Sequence, residues 1–102
     1  NLSVEIYFDK LPVMDGVREY ISKFIYPDMT TKVYSSIASQ CNELNSEQLF
    51  ISCDPQTNGG LLVAVTPDGL NEVLSIFDTY NIPYITPIGR FLSRQEKMIN
   101  II

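Results

Sequence analysis

Residues 59–65 read Gly-Gly-Leu-Leu-Val-Ala-Val, and this stretch carries the strongest secondary-structure signal in the chain. Five consecutive apolar residues without alternation predict a central β-strand that is covered on both faces. Residues 66–68, Thr-Pro-Asp, then predict a helix start, because they place a hydroxyl at the N-cap, a proline at N1 and a carboxylate in the first turn. The helix is expected to end near Asn81. Its apolar stripe consists of Leu70, Val73, Leu74, Phe77 and Tyr80.

The first half of the chain predicts a strand, two helices and a second short strand. Alternation over residues 3–8 favours a strand, and apolar residues spaced three and four apart favour an amphipathic helix over 13–25, ended by Pro27. Residues 31–41 keep a weaker helical spacing. The run Leu-Phe-Ile at 49–51 is typical of a brief strand.

The end of the chain predicts one further strand. Residues 84–91 have a strand pattern, and Pro87 restricts that strand to a sheet edge or a bulge because proline cannot donate to the ladder. Residues 93–102 suit either a short helix or a frayed end. This alternation of strands and helices predicts an α+β fold, an α/β sandwich in which a mixed sheet carries helices, with residues 1–102 as a single domain.

The composition excludes several classes of function but does not identify one. Of the 102 residues, 45% are hydrophobic and 19% are charged, which is typical of a globular domain. Lys and Arg number 7 against 12 Asp and Glu, and a net charge of −5 weighs against nucleic acid or an anionic membrane as partner. The absence of histidine excludes Ser-His-Asp, Cys-His and His-zinc chemistry.

The number of cysteines and the lack of long apolar runs help to predict the cellular compartment. Cys41 and Cys53 are too few for a disulfide framework or a thiolate zinc site, and free cysteines are more often small buried hydrophobes than redox groups. No apolar run approaches the ~20 residues of a membrane span. Nothing at Asn1 is typical of a signal sequence. We therefore expect a cytoplasmic location and no membrane partner.

A polar, glycine-ended loop precedes the apolar run and is the candidate site. The residues of interest are Asp54, Gln56, Thr57, Asn58, Gly59 and Gly60. Glycines let backbone N–H groups approach an anion, while the neighbouring side chains add donors and one carboxylate. The same residues also suit a tight turn, because Asp-Pro starts turns and Asn-Gly favours hairpins. The residues alone leave both interpretations open, although the lack of a following lysine excludes a Walker A loop.

Residues 54–62, Asp-Pro-Gln-Thr-Asn-Gly-Gly-Leu-Leu, resemble a signature of the selenophosphate synthetase (selenide, water dikinase) family. The family pattern is Asp-Pro-Gln-Thr-Ser-Gly-Gly-Leu-Leu, so eight of nine positions agree and Asn58 replaces Ser. Leu-Pro at 11–12 and Ile-Gly at 88–89 give weaker resemblances. Residues 27–33 depart from the family's Gly-Gly-Thr segment, of which only the threonine remains.

The resemblance implies part of the carboxy-terminal domain of an AIR-synthetase-like enzyme, without that domain's first elements. Such an enzyme converts ATP, selenide and water to selenophosphate, AMP and phosphate with Mg²⁺. The family's nucleophile, lysine and magnesium-binding aspartates lie in other segments. The resemblance therefore implies an inactive fragment with no catalytic residue, metal ligand or bound cofactor, which scaffolds the active-site cleft. Its implied partners are the enzyme's N-terminal domain and a second copy of the chain.

A second hypothesis assigns no catalytic role. The chain would then be a small α+β binding or regulatory module, with a tight turn at 54–60 and a self-associating sheet edge. Composition and periodicity permit both hypotheses, and the nine-residue signature favours the first. Arg90 suits a solvated edge position better than a phosphate contact.

Overall fold

A computed structural model describes residues 1–83 and 85–102 and has an α+β fold, which confirms the predicted class. Its three-stranded mixed sheet has the order β2-β1-β3, with β1 antiparallel to β2 and parallel to β3. The strands are β1 Leu2–Ile6, β2 Gly89–Ser93 and β3 Ile99–Ile101. The helices are α1 Val17–Ser22, α2 Thr30–Ile37, α3 Ser46–Ser52 and α4 Leu70–Thr79, with 3-10 turns at Phe8–Lys10 and Pro67–Gly69.

The predicted first strand occupies the centre of the sheet as β1. Val4 stands opposite both Phe91 and Ile99, so these three apolar side chains share one face. On the other face Ser3 is buried, since its hydroxyl accepts a hydrogen bond from Gln95 N at 2.8 Å and donates one to Lys97 O at 3.0 Å. The segment between β2 and β3 therefore closes over the polar face of β1.

The last residues form β3, so neither a short helix nor a frayed end is correct. Ile101 is only 3% exposed. The Asn42 side chain holds this strand, accepting from Ile101 N at 2.8 Å and donating to Ile101 O at 2.9 Å. Apolar residues near a chain end form a strand here because a parallel neighbour and a side-chain amide satisfy their backbone groups.

Helix α1 is shorter than the predicted helix over 13–25. Gly16 precedes it with a φ of +84°, and Phe24 follows it with a φ of +58°. Both values lie in the left-handed region, which an α-helix cannot include. Helix α2 covers most of the predicted 31–41, and the predicted first helix is correct in place but not in length.

The predicted strand at 49–51 is wrong, because these residues lie in α3. Asn45 and Gln48 form a capping box: the Asn45 side chain accepts from Gln48 N at 2.9 Å, and the Gln48 side chain accepts from Asn45 N at 3.1 Å. A three-residue apolar run cannot by itself distinguish strand from helix. The cap at Asn45 decides in favour of the helix.

The predicted central strand at 61–65 is also wrong. These residues are not paired in any strand of the described chain, and Leu61, Leu62 and Val63 are 95%, 79% and 55% exposed. A strand exists only where a neighbour satisfies its backbone donors and acceptors. The composition of 61–65 favours a buried strand, but the described residues provide neither a partner strand nor a cover for it.

Helix α4 agrees with its prediction. Pro67 opens the 3-10 turn that leads into it, although the Thr66 hydroxyl makes no capping bond. Asn81 adopts a φ of +51°, its N–H bonds to Asp78 O, and Ile82 N bonds to Phe77 O. These two bonds define a Schellman C-cap, so Asn81 ends the helix as expected. Tyr80, the last residue of the predicted stripe, is instead 72% exposed.

The last predicted strand begins later than expected. β2 covers Gly89–Ser93, residues 85–88 are not strand, and Tyr84 lies outside the described residues. β2 is an edge strand, as predicted, but Pro87 lies two residues before it, so the missing proline donor is not the reason for that position. Its outer backbone groups face no neighbouring strand among the described residues.

The core is thin. Among residues 1–83 and 85–102, the buried ones are Ser3, Thr30, Cys41, Cys53 and Ile101. The Cα radius of gyration is 15.0 Å, whereas a compact chain of this length has about 13 Å. Helix α4 makes its main contacts with the preceding 3-10 turn and few with the sheet. Among the described residues, no helix is long and apolar enough to cross a membrane.

Candidate functional site

The candidate site is the segment 54–60, called here the 54–60 loop, and it begins where α3 ends. Cys53 closes α3, with its N–H bonded to Leu49 O at 3.0 Å and its side chain fully buried. Asp54 and residues 56–60 are exposed. The first end of the loop is therefore anchored in the core, and the loop itself faces solvent.

One side-chain hydrogen bond organises the loop. Gln56 Nε2 donates to Asp54 Oδ2 at 3.1 Å. The Gln56 side chain also lies against Gly59, where a Cβ would collide with the Gln56 carboxamide oxygen. Gly60 has open space around the corresponding position. Neither glycine has a left-handed φ. Glycine at position 59 therefore allows the Gln56 side chain to approach closely, and is not needed for an unusual backbone conformation.

The backbone from 54 to 65 makes no hydrogen bond to another described residue. The chain bends at 57–58 without forming a hydrogen-bonded turn or a hairpin, because neither flank is a paired strand. Side chains of Thr57 and Asn58 are exposed and bond to no described residue. Backbone and side-chain donors of the loop are therefore available to a ligand or to another part of a larger protein.

The charges of the loop suit a metal site poorly. Asp54 is its single carboxylate and already accepts from Gln56. The described residues contain no group of three or more Asp, Glu or Cys side chains that could hold a metal ion. Mg²⁺ is usually bound by one or two carboxylates together with substrate phosphates and water, so Asp54 would need ligands from outside the described residues to hold it. The loop by itself therefore does not provide a magnesium site.

The two cysteines are structural. Burial raises the pKa of the Cys53 thiol, and the nearby Cys41 adds to the increase. Burial also raises the pKa of Cys41, although a hydrogen bond from the Asn42 backbone and the charge of Lys97 oppose it. Thiolates are the reactive form, so a raised pKa lowers the reactive fraction of both groups at neutral pH. This agrees with their interpretation as small buried hydrophobes.

Arg90 is engaged within the sheet. Its Nε lies 2.8 Å from Glu5 Oε1, directly across the β1–β2 pair. The hydrogen bond and the negative charge of Glu5 raise the Arg90 pKa. Arg90 therefore forms a cross-strand ion pair through Nε, while most of its side chain stays exposed, as expected for an edge-strand arginine.

Two shallow surface grooves lie away from the loop. One, of about 290 Å³, runs between α1 and α3 and is lined by Arg18, Phe24, Glu47 and Phe50 among others. The other, of about 330 Å³, lies beside β1 and the segment before β3. No residue of the 54–60 loop lines either groove. Asp54 and residues 56–60 are exposed, so among the described residues the loop is an open surface.

Sequence reasoning missed two residues that shape this region. Asn45 starts α3 and thereby places the first end of the loop, and Asn42 fixes β3. The first had a signal in the sequence, because Asn45 followed by Gln48 matches the capping-box spacing. The second had none, since it depends on a contact across 59 residues.

Comparison with known proteins agrees with the signature at residues 54–62. A search against models of protein families gives no match. The chain is 37% identical to the selenide, water dikinase of Pasteurella multocida over 94% of its length. It is 36% identical to that of Campylobacter jejuni over 99% and 32% identical to that of Pseudomonas putida over 100%.

These relatives are much longer than the chain, which spans only 27–29% of their length. The similarity nevertheless extends over nearly every residue of the 102, well beyond the nine of the signature. The predicted resemblance is therefore confirmed, and the chain matches a segment of the selenide, water dikinases, the selenophosphate synthetase family.

Proposed function

We propose that this chain is part of the carboxy-terminal domain of a cytoplasmic selenophosphate synthetase, which makes selenophosphate from ATP, selenide and water. Near-complete coverage of the chain by relatives of that name supports the proposal. A small regulatory module has no comparable support. The relatives' greater length supports an N-terminal domain of the same enzyme as the principal partner.

The observation that carries the mechanism is the open 54–60 loop. Its backbone donors and the side chains of Thr57 and Asn58 are exposed and make no hydrogen bond to the described residues. Phosphoryl transfer depends largely on positioned donors around phosphate oxygens. We place this loop on one wall of the cleft, where it would bind and orient a phosphorylated substrate.

Mg²⁺ and ATP belong to the whole enzyme in this proposal. Most of the magnesium ligands would come from other segments, since the described residues hold no cluster of three or more carboxylates or thiols. Bound Mg²⁺ would neutralise phosphate charge, while the chain's own contribution is the orientation of phosphate oxygens by neutral donors. The isolated chain is accordingly expected to be inactive.

The test is Thr57→Ala in the full-length enzyme, assayed for selenophosphate formation. We expect kcat/KM to fall about tenfold or more, equivalent to about 1.4 kcal/mol of lost transition-state stabilisation. Thr66→Ala is the matched control, because Thr66 is also exposed and makes no side-chain capping bond. Wild-type turnover by a folded Thr57→Ala enzyme would refute the assignment of the loop to the cleft.

A further inference from the structure

We propose that Gln56 is a positioning residue of the 54–60 loop. Its side chain, bonded to Asp54 and packed against Gly59, fixes the bend that presents Thr57 and Asn58 to the substrate. The inference rests on the proposed function of the loop. It adds an assignment of roles, in which Thr57 and Asn58 contact substrate and Gln56 acts through them.

The two contacts of Gln56 lie on opposite sides of the bend at 57–58. Asp54 precedes the bend and Gly59 follows it, so one side chain links the two arms of the loop. Among the described residues, the bond between Gln56 and Asp54 is the only hydrogen bond formed by the loop beyond Cys53. Without it, no hydrogen bond within the described part of the chain restricts the orientation of the exposed donors.

Gly59 is coupled to the same contact. A methyl group at Gly59 would overlap the Gln56 carboxamide oxygen and come within 3.4 Å of its Cβ and Cδ. The flexible Gln56 side chain would move aside and lose its bond to Asp54. Gln56→Ala removes that bond from the other end, so both substitutions have one shared effect. Gly60 has no such neighbour, so the collision is specific to position 59.

The first experiment is a double-mutant cycle in the full-length enzyme, with selenophosphate formation as readout. We expect Gln56→Ala and Gly59→Ala each to lower kcat/KM about tenfold, below the roughly hundredfold that misplaced catalytic geometry can cost. The double variant should be no slower than the slower single variant, because both disrupt the same contact. Thr66→Ala, outside the loop, should stay close to wild type. Additive losses, about hundredfold in the double variant, would overturn the proposal.

A rescue experiment separates positioning from a direct substrate contact. Gln56→Glu places two carboxylates side by side and should lower kcat/KM by repulsion. Adding Asp54→Asn recreates an amide–carboxylate hydrogen bond with donor and acceptor exchanged, and should restore most of the lost kcat/KM. If Gln56 touched the substrate itself, the exchange would not restore activity, and that result would contradict the positioning role.

Thr57→Ala and Asn58→Ala distinguish the failure of this inference from the failure of the proposed function. If both variants retain wild-type turnover, the loop does not serve the reaction, and Gln56 has no donors to position. If they impair turnover while the Gln56 and Gly59 losses add, the loop is functional and only the positioning role is wrong. Thermal melting of each variant confirms that the enzymes compared are folded.

Discussion

At Gly89 the backbone of β2 lies directly against the backbone of β1, with no room for a side chain between them. A Cβ on Gly89 would overlap the carbonyl oxygen of Glu5, and Tyr7 N bonds to Ile88 O at 2.8 Å beside it. The neighbouring Arg90–Glu5 pair depends on the same register. Backbone cannot move aside as a flexible side chain can, so only glycine fits without displacing β2.

Gly89→Ala should therefore lower the free energy of unfolding of the chain by about 1–3 kcal/mol, the usual cost of overpacking. Gly60→Ala is the matched control. Gly60 has open space around its Cα and no left-handed φ, so its substitution should change stability by less than about 0.5 kcal/mol. Urea denaturation followed by circular dichroism measures both. Equal effects of the two substitutions would contradict the close approach of β1 and β2.

At the scale of elements, the segment 61–65 differs most from its prediction. Its sequence favours a buried strand, but in the structure it is largely exposed and unpaired. Its leucines are among the most exposed hydrophobic residues of the chain, and its backbone groups bond to no described residue. Exposed apolar segments with free backbone donors pair with other chains. The net charge of −5 opposes association only weakly at physiological ionic strength.

We expect the 102-residue chain to form dimers or larger species as concentration rises, measured by analytical ultracentrifugation. Leu61→Asn with Leu62→Asn should weaken this association at least several-fold and leave the unfolding free energy within about 0.5 kcal/mol of wild type, because these side chains are already solvated. Met14→Gln is the control, since Met14 is 82% exposed but stands outside the segment. A clean monomer at high concentration would show that the open segment does not associate.

At the scale of the whole molecule, the buried thiols make the free energy of unfolding depend on pH. Burial raises the pKa of Cys41 and Cys53, so the folded chain retains these protons at a pH where the unfolded chain has begun to release them. Between the pKa of an unfolded thiol, about 8.5, and the higher folded pKa, the folded state binds more protons. Stability must fall with rising pH in that range.

Unfolding of the reduced chain at pH 7.5 and pH 9.5 should show lower stability at the higher pH. Cys53→Ala should reduce the size of this decrease, because tyrosines and lysines contribute equally in both proteins. The comparison concerns the change with pH, so a constant loss from the smaller side chain does not affect it. An identical pH dependence in the two proteins would contradict a raised thiol pKa.

Several features of this protein follow from sequence alone because their causes are local. Asn81 ends α4 because its own conformation and two nearby bonds form the cap. The nine residues at 54–62 predicted the family because a match to a signature depends only on residue types and not on how the residues pack. The capping box at Asn45 is equally local, and its spacing favours a helix over the strand predicted at 49–51.

Tertiary structure decided what depends on distant partners. Ile99–Ile101 became a strand because β1 and Asn42, both far away in sequence, satisfy its backbone. Residues 61–65, with a stronger strand preference, remained open because no described segment pairs with them. The contact of Gln56 with Asp54 and Gly59 likewise depends on how the loop bends in space. An apolar run in the sequence indicates a preference for burial. Where a sheet forms depends instead on which backbone segments can exchange hydrogen bonds.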